Sequence, residues 1–136
     1  MSDAVRDTLD RYYAALKAGD RAALRGVVSD DIEVHYPAPE GLLPWAGDWS
    51  GFEGFEAFLK AVGDHLVIDA VEPLSMHIAG DTVITVLKGE WTVKANGRKV
   101  RTETANIFTL RDGKIARYQV FSDTAALGVG LGRLAS

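Results

Sequence analysis

The chain has 136 residues, 47% of them hydrophobic and 25% charged, with a formal charge of -4 and no cysteine. That length builds one domain around one core, and the composition excludes a disordered or collagen-like chain. Without cysteine there is no disulfide framework, thiolate metal site or Cys nucleophile, and without a dense Lys/Arg stripe nucleic acid is not an expected partner.

The start, MSDAVRDTLDRYY, is charged from the third residue, and no apolar run approaches the roughly 20 residues that cross a bilayer. No membrane partner is therefore expected, and a cytoplasmic location is the default. From Asp3, residues Val5, Leu9, Tyr12, Tyr13 and Leu16 recur at steps of three and four, which predicts a helix to about Ala18. Gly19 can end it in the left-handed conformation, and Asp20 can cap a second helix whose buried stripe is Ala23, Leu24, Val27 and Val28. Ile32, Val34 and Tyr36 alternate with Glu33 and His35, the period of a half-buried strand, and Pro37 ends it. Residues 38–50 read as a loop with four large apolar side chains, Leu42, Leu43, Trp45 and Trp49.

A third helix is predicted from about Phe52, with Phe55, Phe58, Leu59, Val62 and Leu66 on one face. Beyond it the pattern changes. Segments 67–78, 81–95, 98–111 and 114–122 are rich in Val, Ile, Thr and aromatics, and Gly80-Asp81, Asn96-Gly97 and Asp112-Gly113 are hairpin signals. A tight primed turn is expected at Asn96-Gly97. Helices first and a strand meander after them make the class α+β, in a single domain over 1–136, with the Gly-rich tail 128–136 expected to fray.

The segments RYYAALKAGD, VVSDDIEVHYP, FTLRDGKIARYQVF and SDTAAL, in this order and over nearly the whole chain, resemble the SnoaL-like and ketosteroid-isomerase-like members of the nuclear-transport-factor-two-like superfamily. The resemblance implies a cone-shaped α+β barrel, with three N-terminal helices packed on a strongly curved, mostly antiparallel sheet around one pocket, and a homodimer. Activities in the superfamily range from isomerases, polyketide cyclases and epoxide hydrolases to binding proteins, so the fold does not fix the function. Matched by spacing, Tyr12 stands for the isomerases' oxyanion Tyr and Asn106 for their protonated Asp, both still able to donate a hydrogen bond. Their carboxylate base is replaced by Tyr36. The cyclases' last-strand Asp is replaced by Val120, and the epoxide hydrolases' Arg and Asp by Gly89 and Trp91.

Strand alternation from the matched positions turns Leu87, Gly89, Trp91 and Val93 inward, then Thr104, Asn106 and Phe108, then Tyr118, Val120 and Ser122. With Phe55 and Leu59 from the third helix, these predict an aromatic, apolar ligand cavity carrying a few neutral polar groups. The other reading is that Trp91, Phe108 and Tyr118 fill a solid core. Two further bases are candidates: His35 near the end of its strand, and Asp123, which a bulge would swing inward but which can instead cap a short helix from Thr124. Trp45 and Trp49 read either as a lid on the cavity or as residues packed under their loop. No three His or carboxylate positions converge, so neither a metal nor any other cofactor is expected. The partner implied is a small apolar molecule with a carbonyl or hydroxyl group. Two functions follow: an acid–base enzyme for isomerisation, dehydration or cyclisation, or a non-catalytic ligand-binding or dimerisation module of the same fold.

Overall fold

The computed structural model of the chain describes residues 2–135. The first periodic stripe forms helix α1 (Ser2–Ala18), Gly19 takes a φ of +65°, and the Asp20 carboxylate accepts from Ala23 N at 3.1 Å to start α2 (Arg21–Val27). Strand β1 (Val28–Tyr36) begins at once, so Val28, expected on the helix stripe, is a strand residue instead. It is β-branched and ends the helix in extended backbone. The greasy loop then yields a short strand, β2 (Gly47–Ser50), before α3 (Gly51–His65). Four long strands follow, β3 (Leu66–Ala79), β4 (Thr82–Val93), β5 (Lys99–Arg111) and β6 (Lys114–Phe121), and the short helix α4 (Thr124–Gly130) closes the chain order.

The strands form one six-stranded sheet in the order β2-β1-β6-β5-β4-β3. All neighbours are antiparallel except β1 and β6, which run parallel. The expected helices-on-sheet α+β architecture is therefore present. The barrel is not closed, however, because β2 and β3 remain edges. Strand β3 carries two register breaks against β4, at Ile68/Ala70 and Pro73/Ser75, of the kind that bends a strand.

The turns divide differently from expectation. Asp112 (φ 53°) and Gly113 (φ 77°) supply the two positive φ values that a primed two-residue turn needs, and Arg111 pairs directly with Lys114. At Asn96-Gly97 only Gly97 has positive φ, and the connection is wider: the Asn96 side chain accepts from Arg98 N, and Gly97 N donates to Val93 O. The strand register on either side is unaffected. Trp91 faces Val100 and Thr85 faces Asn106.

Residues from 128 onward, expected to fray, hold α4 through Gly130, and Arg133 Nη1 donates to Gly41 O at 2.8 Å. Glycine here permits contact rather than freedom, since a Cβ at Gly128 would stand 2.7 Å from Leu42 Cδ1. The core lies between the helices and the inner sheet face, with Leu9, Tyr12, Ile32, Val34, Phe55, Val83, Phe108 and Ile115 at 1% exposure or less. Among the described residues no helix is long and apolar enough to cross a membrane.

Candidate functional site

Two consecutive tyrosines of α1 point into different places because neighbouring helical positions are turned by about 100°. Tyr12 enters the deep core. Its ring stands edge-on to Phe108 (5.4 Å between centroids) and Tyr118 (6.0 Å), and Phe55 lies 6.3 Å away. Phe108 and Tyr118 are themselves stacked at 5.0 Å with planes 13° apart, and Phe58 meets Tyr118 edge-on. The deep end of the expected cavity is thus filled by aromatic packing, in which Phe55, Phe108 and Tyr118 each lie against Tyr12. The reason is volume: rings from α1, α3, β5 and β6 together close the space.

Tyr13 turns toward β4 and β5. Its hydroxyl lies 2.8 Å from Thr85 Oγ1 and accepts from Asn106 Nδ2 at 3.0 Å. Thr85 and Asn106 are cross-strand partners, exposed by only 2% and 3%, and with the half-buried Tyr13 they form one cluster of three neutral polar groups. Tyr13, not Tyr12, is the tyrosine that meets Asn106. Spacing alone missed it by one residue, although Tyr13 lies on the same apolar stripe (Leu9, Tyr13, Leu16) that revealed the helix. Asn106 Oδ1 has no protein partner, and neither has the fully buried Tyr12 hydroxyl. Burial pushes the Tyr13 phenol up, with the Thr85 and Asn106 hydrogen bonds pulling back. The Tyr12 phenol is pushed well up, first by burial and then by the neighbouring Tyr118.

From Asn106 the inner face of β5 continues through Thr104 to Thr102, a neutral polar stripe. Opposite it on β4 stand Leu87, Gly89 and Trp91, whose indole donates from Nε1 to Thr102 Oγ1 at 2.9 Å. The same face of β3 carries Ile68, Val71 and Pro73, the register partners of Trp91, Gly89 and Leu87. Ile68 and Val71 are 61% and 45% exposed, while Leu87, Trp91 and Thr104 are half-buried. The inner face is therefore left uncovered toward the β3 edge, and this mostly apolar stretch is the candidate groove. Thr85 and Thr102 were legible from alternation, whereas Ile68 and Val71 were not, because the bulge beside Ile68 shifts the inward set by one.

The remaining candidates scatter. Tyr36 is buried, its hydroxyl 2.5 Å from Ser122 Oγ, and burial raises its phenol against the pull of that hydrogen bond. Val120 is buried beside Asn106. Leu59 is half-buried on α3 against the core. His35 lies on the opposite face, its Nδ1 2.6 Å from Asp48 Oδ1 and its ring beside Phe121, because Val34 and Tyr36 take the inward positions. Asp123 accepts from Ala126 N at 3.0 Å and caps α4. Neither base candidate reaches the inner face. Trp45 is 1% exposed, edge-on to Tyr36, and is core rather than lid. Trp49 sits in β2, half-buried, donates to Trp45 O at 3.1 Å and lies against Phe58.

All 19 carboxylates are solvent-exposed except Glu56 and Glu90, which are half-buried and paired with Arg21 and Arg101. No group of three His, Asp or Glu side chains among the described residues could hold a metal ion. What the inner face can do chemically is donate and accept neutral hydrogen bonds. Among the described residues it offers no charged acid or base.

Known proteins bear on this arrangement. An NTF2-like protein from Burkholderia xenovorans LB400 superposes with a TM-score of 0.86 at 25% identity, over 95% of this chain and 96% of that one. A candidate isomerase from Rhodopseudomonas palustris gives 0.81 at 18% identity, over 93% and 97%. A candidate SnoaL-like polyketide cyclase from Mesorhizobium loti gives 0.70 at 20%, over 88% and 97%. No curated protein matches the chain. The model of the SnoaL-like domain matches residues 9–118, which span α1 to most of β6 and so every strand that builds the groove. The chain belongs to the SnoaL-like domain family, within the NTF2-like superfamily.

Proposed function

We propose that the chain binds a small, mainly apolar, cyclic molecule bearing a hydroxyl or carbonyl group, and that it does so without acid–base turnover. The observation that carries this reading is the Tyr13–Thr85–Asn106 cluster, which leaves Asn106 Oδ1 unspent on a face without carboxylate or imidazole. A buried amide oxygen without a partner is unfavourable by about 1–3 kcal/mol, and a ligand hydroxyl would relieve it. If the Asn106 amide turns over, its NH2 faces the ligand and Tyr13 donates to Oδ1, so the same cluster reads a carbonyl. From Thr102 to Asn106 the polar stripe runs about 13 Å, the length of about three fused rings.

The rival is the acid–base enzyme, for which the Tyr36–Ser122 pair is the remaining proton-moving couple. Its phenol is held protonated near neutrality by burial, which makes it a weak base. Two measurements separate the readings. Saturable binding of cyclic alcohols or ketones, weakened by Asn106→Leu, supports binding, and turnover of an unconjugated to a conjugated steroid ketone by the native protein would replace it with catalysis.

Assembly as a homodimer is part of the same proposal. The outer sheet face exposes Ile84 (37%) and Phe121 (42%), with Ile107 and Ala105 between them in register, an apolar strip suited to a second copy.

A further inference from the structure

Trp91 is packed in an unusual way for a groove residue. Its indole folds back along β4 over the preceding inward position, where Gly89 leaves room: a Cβ there would stand 2.7 Å from Nε1, 3.0 Å from Cε2 and 3.1 Å from Cζ2. Gly89 is not in the left-handed region, so its value at this point is the missing side chain and not its backbone freedom. The indole thereby reaches past its own partner, Val100, to the partner of Gly89, and donates to the hydroxyl of Thr102, a residue only 4% exposed. A planar ring with one N–H donor thus lies in a slot floored by Gly89 and ended by Thr102. That slot is continuous with Thr104 and Asn106 along β5.

We propose that the slot over Gly89 is the ring subsite of the groove, occupied in this conformation by the protein's own Trp91, and that the ligand is a planar aromatic carrying its own N–H or O–H donor, of the indole or phenol class. This rests on the binding reading above and adds to it the chemistry of the ligand's far end. The ligand ring takes the slot and its donor takes Thr102 Oγ1, while the displaced indole moves by a rotamer change toward Ile68, its cross-strand partner. Ile68 and Val71 are exposed apolar surface on that side, so the displaced ring has somewhere apolar to lie. Ordering of the two states then sets affinity, since a site that is mostly self-occupied binds more weakly by the fraction of time it is open.

The chain has three tryptophans, so indole nitrogen–proton NMR spectra of the native protein show one signal for each, and Trp91→Phe identifies that of Trp91. Titration with indole is expected to move the Trp91 signal saturably and to leave those of Trp45 and Trp49 in place. 1-Benzofuran, the same shape without a donor, should bind about fivefold more weakly, and Thr102→Val should erase that difference. Trp91→Ala, which vacates the slot, should bind indole at least about tenfold more tightly than the native protein. Trp91→Phe keeps a ring over Gly89 without the hydrogen bond and should gain about fivefold, which retains the test if the alanine variant does not fold. Saturable indole binding that shifts the Asn106 amide and leaves Trp91 unmoved would overturn the ring subsite while sustaining the binding reading. Absence of saturable indole binding in the native protein and in both Trp91 variants would overturn the ring subsite, while the binding reading stands or falls with the cyclic alcohols and ketones.

Discussion

Tyr13→Phe removes a single oxygen, and the structure says what that oxygen holds. It accepts from Asn106 Nδ2 and pairs with Thr85 Oγ1, and both partners are at least 97% buried. With the hydroxyl gone, the whole Asn106 amide has no side-chain partner, because Oδ1 already lacks one, and the Thr85 hydroxyl loses its side-chain partner as well. Each of the two newly stranded groups is unfavourable by about 1–3 kcal/mol, so the variant should lose about 2–6 kcal/mol. For a domain of this length that is a fall in Tm of about 7–21 °C. Urea denaturation should show a lower midpoint at unchanged slope, since the surface exposed on unfolding is the same. Replacing all three groups, as Tyr13→Phe/Thr85→Val/Asn106→Leu, leaves nothing polar to strand and should return to within about 1 kcal/mol of the native protein. A Tyr13→Phe loss under about 0.5 kcal/mol, the size of an ordinary surface substitution, would show that the hydroxyl is not what satisfies the cluster.

Phe108→Ala empties the centre of the aromatic stack and should destabilise the protein by about 3–5 kcal/mol, read by thermal denaturation. All four tyrosines are pushed above their ordinary range chiefly by burial. A raised folded value stabilises below the unfolded one, about pH 10, and that stabilisation is lost as the pH rises past it. Phenolate absorbance should therefore appear together with loss of near-ultraviolet dichroism in one cooperative step, and gradual titration in the folded protein would contradict the burial. Asp31, Asp64 and Asp69 are held below the ordinary range, by the Ser29 hydroxyl and Arg111, by Lys60, and by the Thr92 hydroxyl and Lys99 respectively. Lowered folded values stabilise above about pH 4 and the effect is lost below it, so acid unfolding should begin there, and Arg111→Gln should move the midpoint upward. Sedimentation at micromolar concentration should give a dimer that Phe121→Lys dissociates, and a native monomer would reject the outer-face interface.

Local chemistry made most of the elements legible. Steps of three and four wrote α1 and α3, β-rich composition and hairpin dipeptides wrote β4 to β6, alternation counted from the positions matched by resemblance gave their inward sets, and Asp20 and the Asp112-Gly113 pair marked a cap and a turn that need only their own neighbours. The inward direction of Trp91 came from the positions matched by resemblance, carried along the strand by a period of two. What the sequence could not decide depends on contacts between distant segments. Whether Tyr12 or Tyr13 meets Asn106 turns on how α1 is rotated against the sheet, and both lie on the same stripe. Whether the aromatic inward set encloses a cavity or fills it turns on the distance between layers, which put Phe108 on Tyr118 and Tyr12 against both. The parallel pairing of β1 with β6 joins the two ends of the chain and leaves no local pattern, and the bulge at Asp69 that turns Ile68 and Val71 toward the groove reverses the alternation on which any reading of β3 relies. Periodicity reports which face of an element is buried; only packing of one element on another fixes what that face touches.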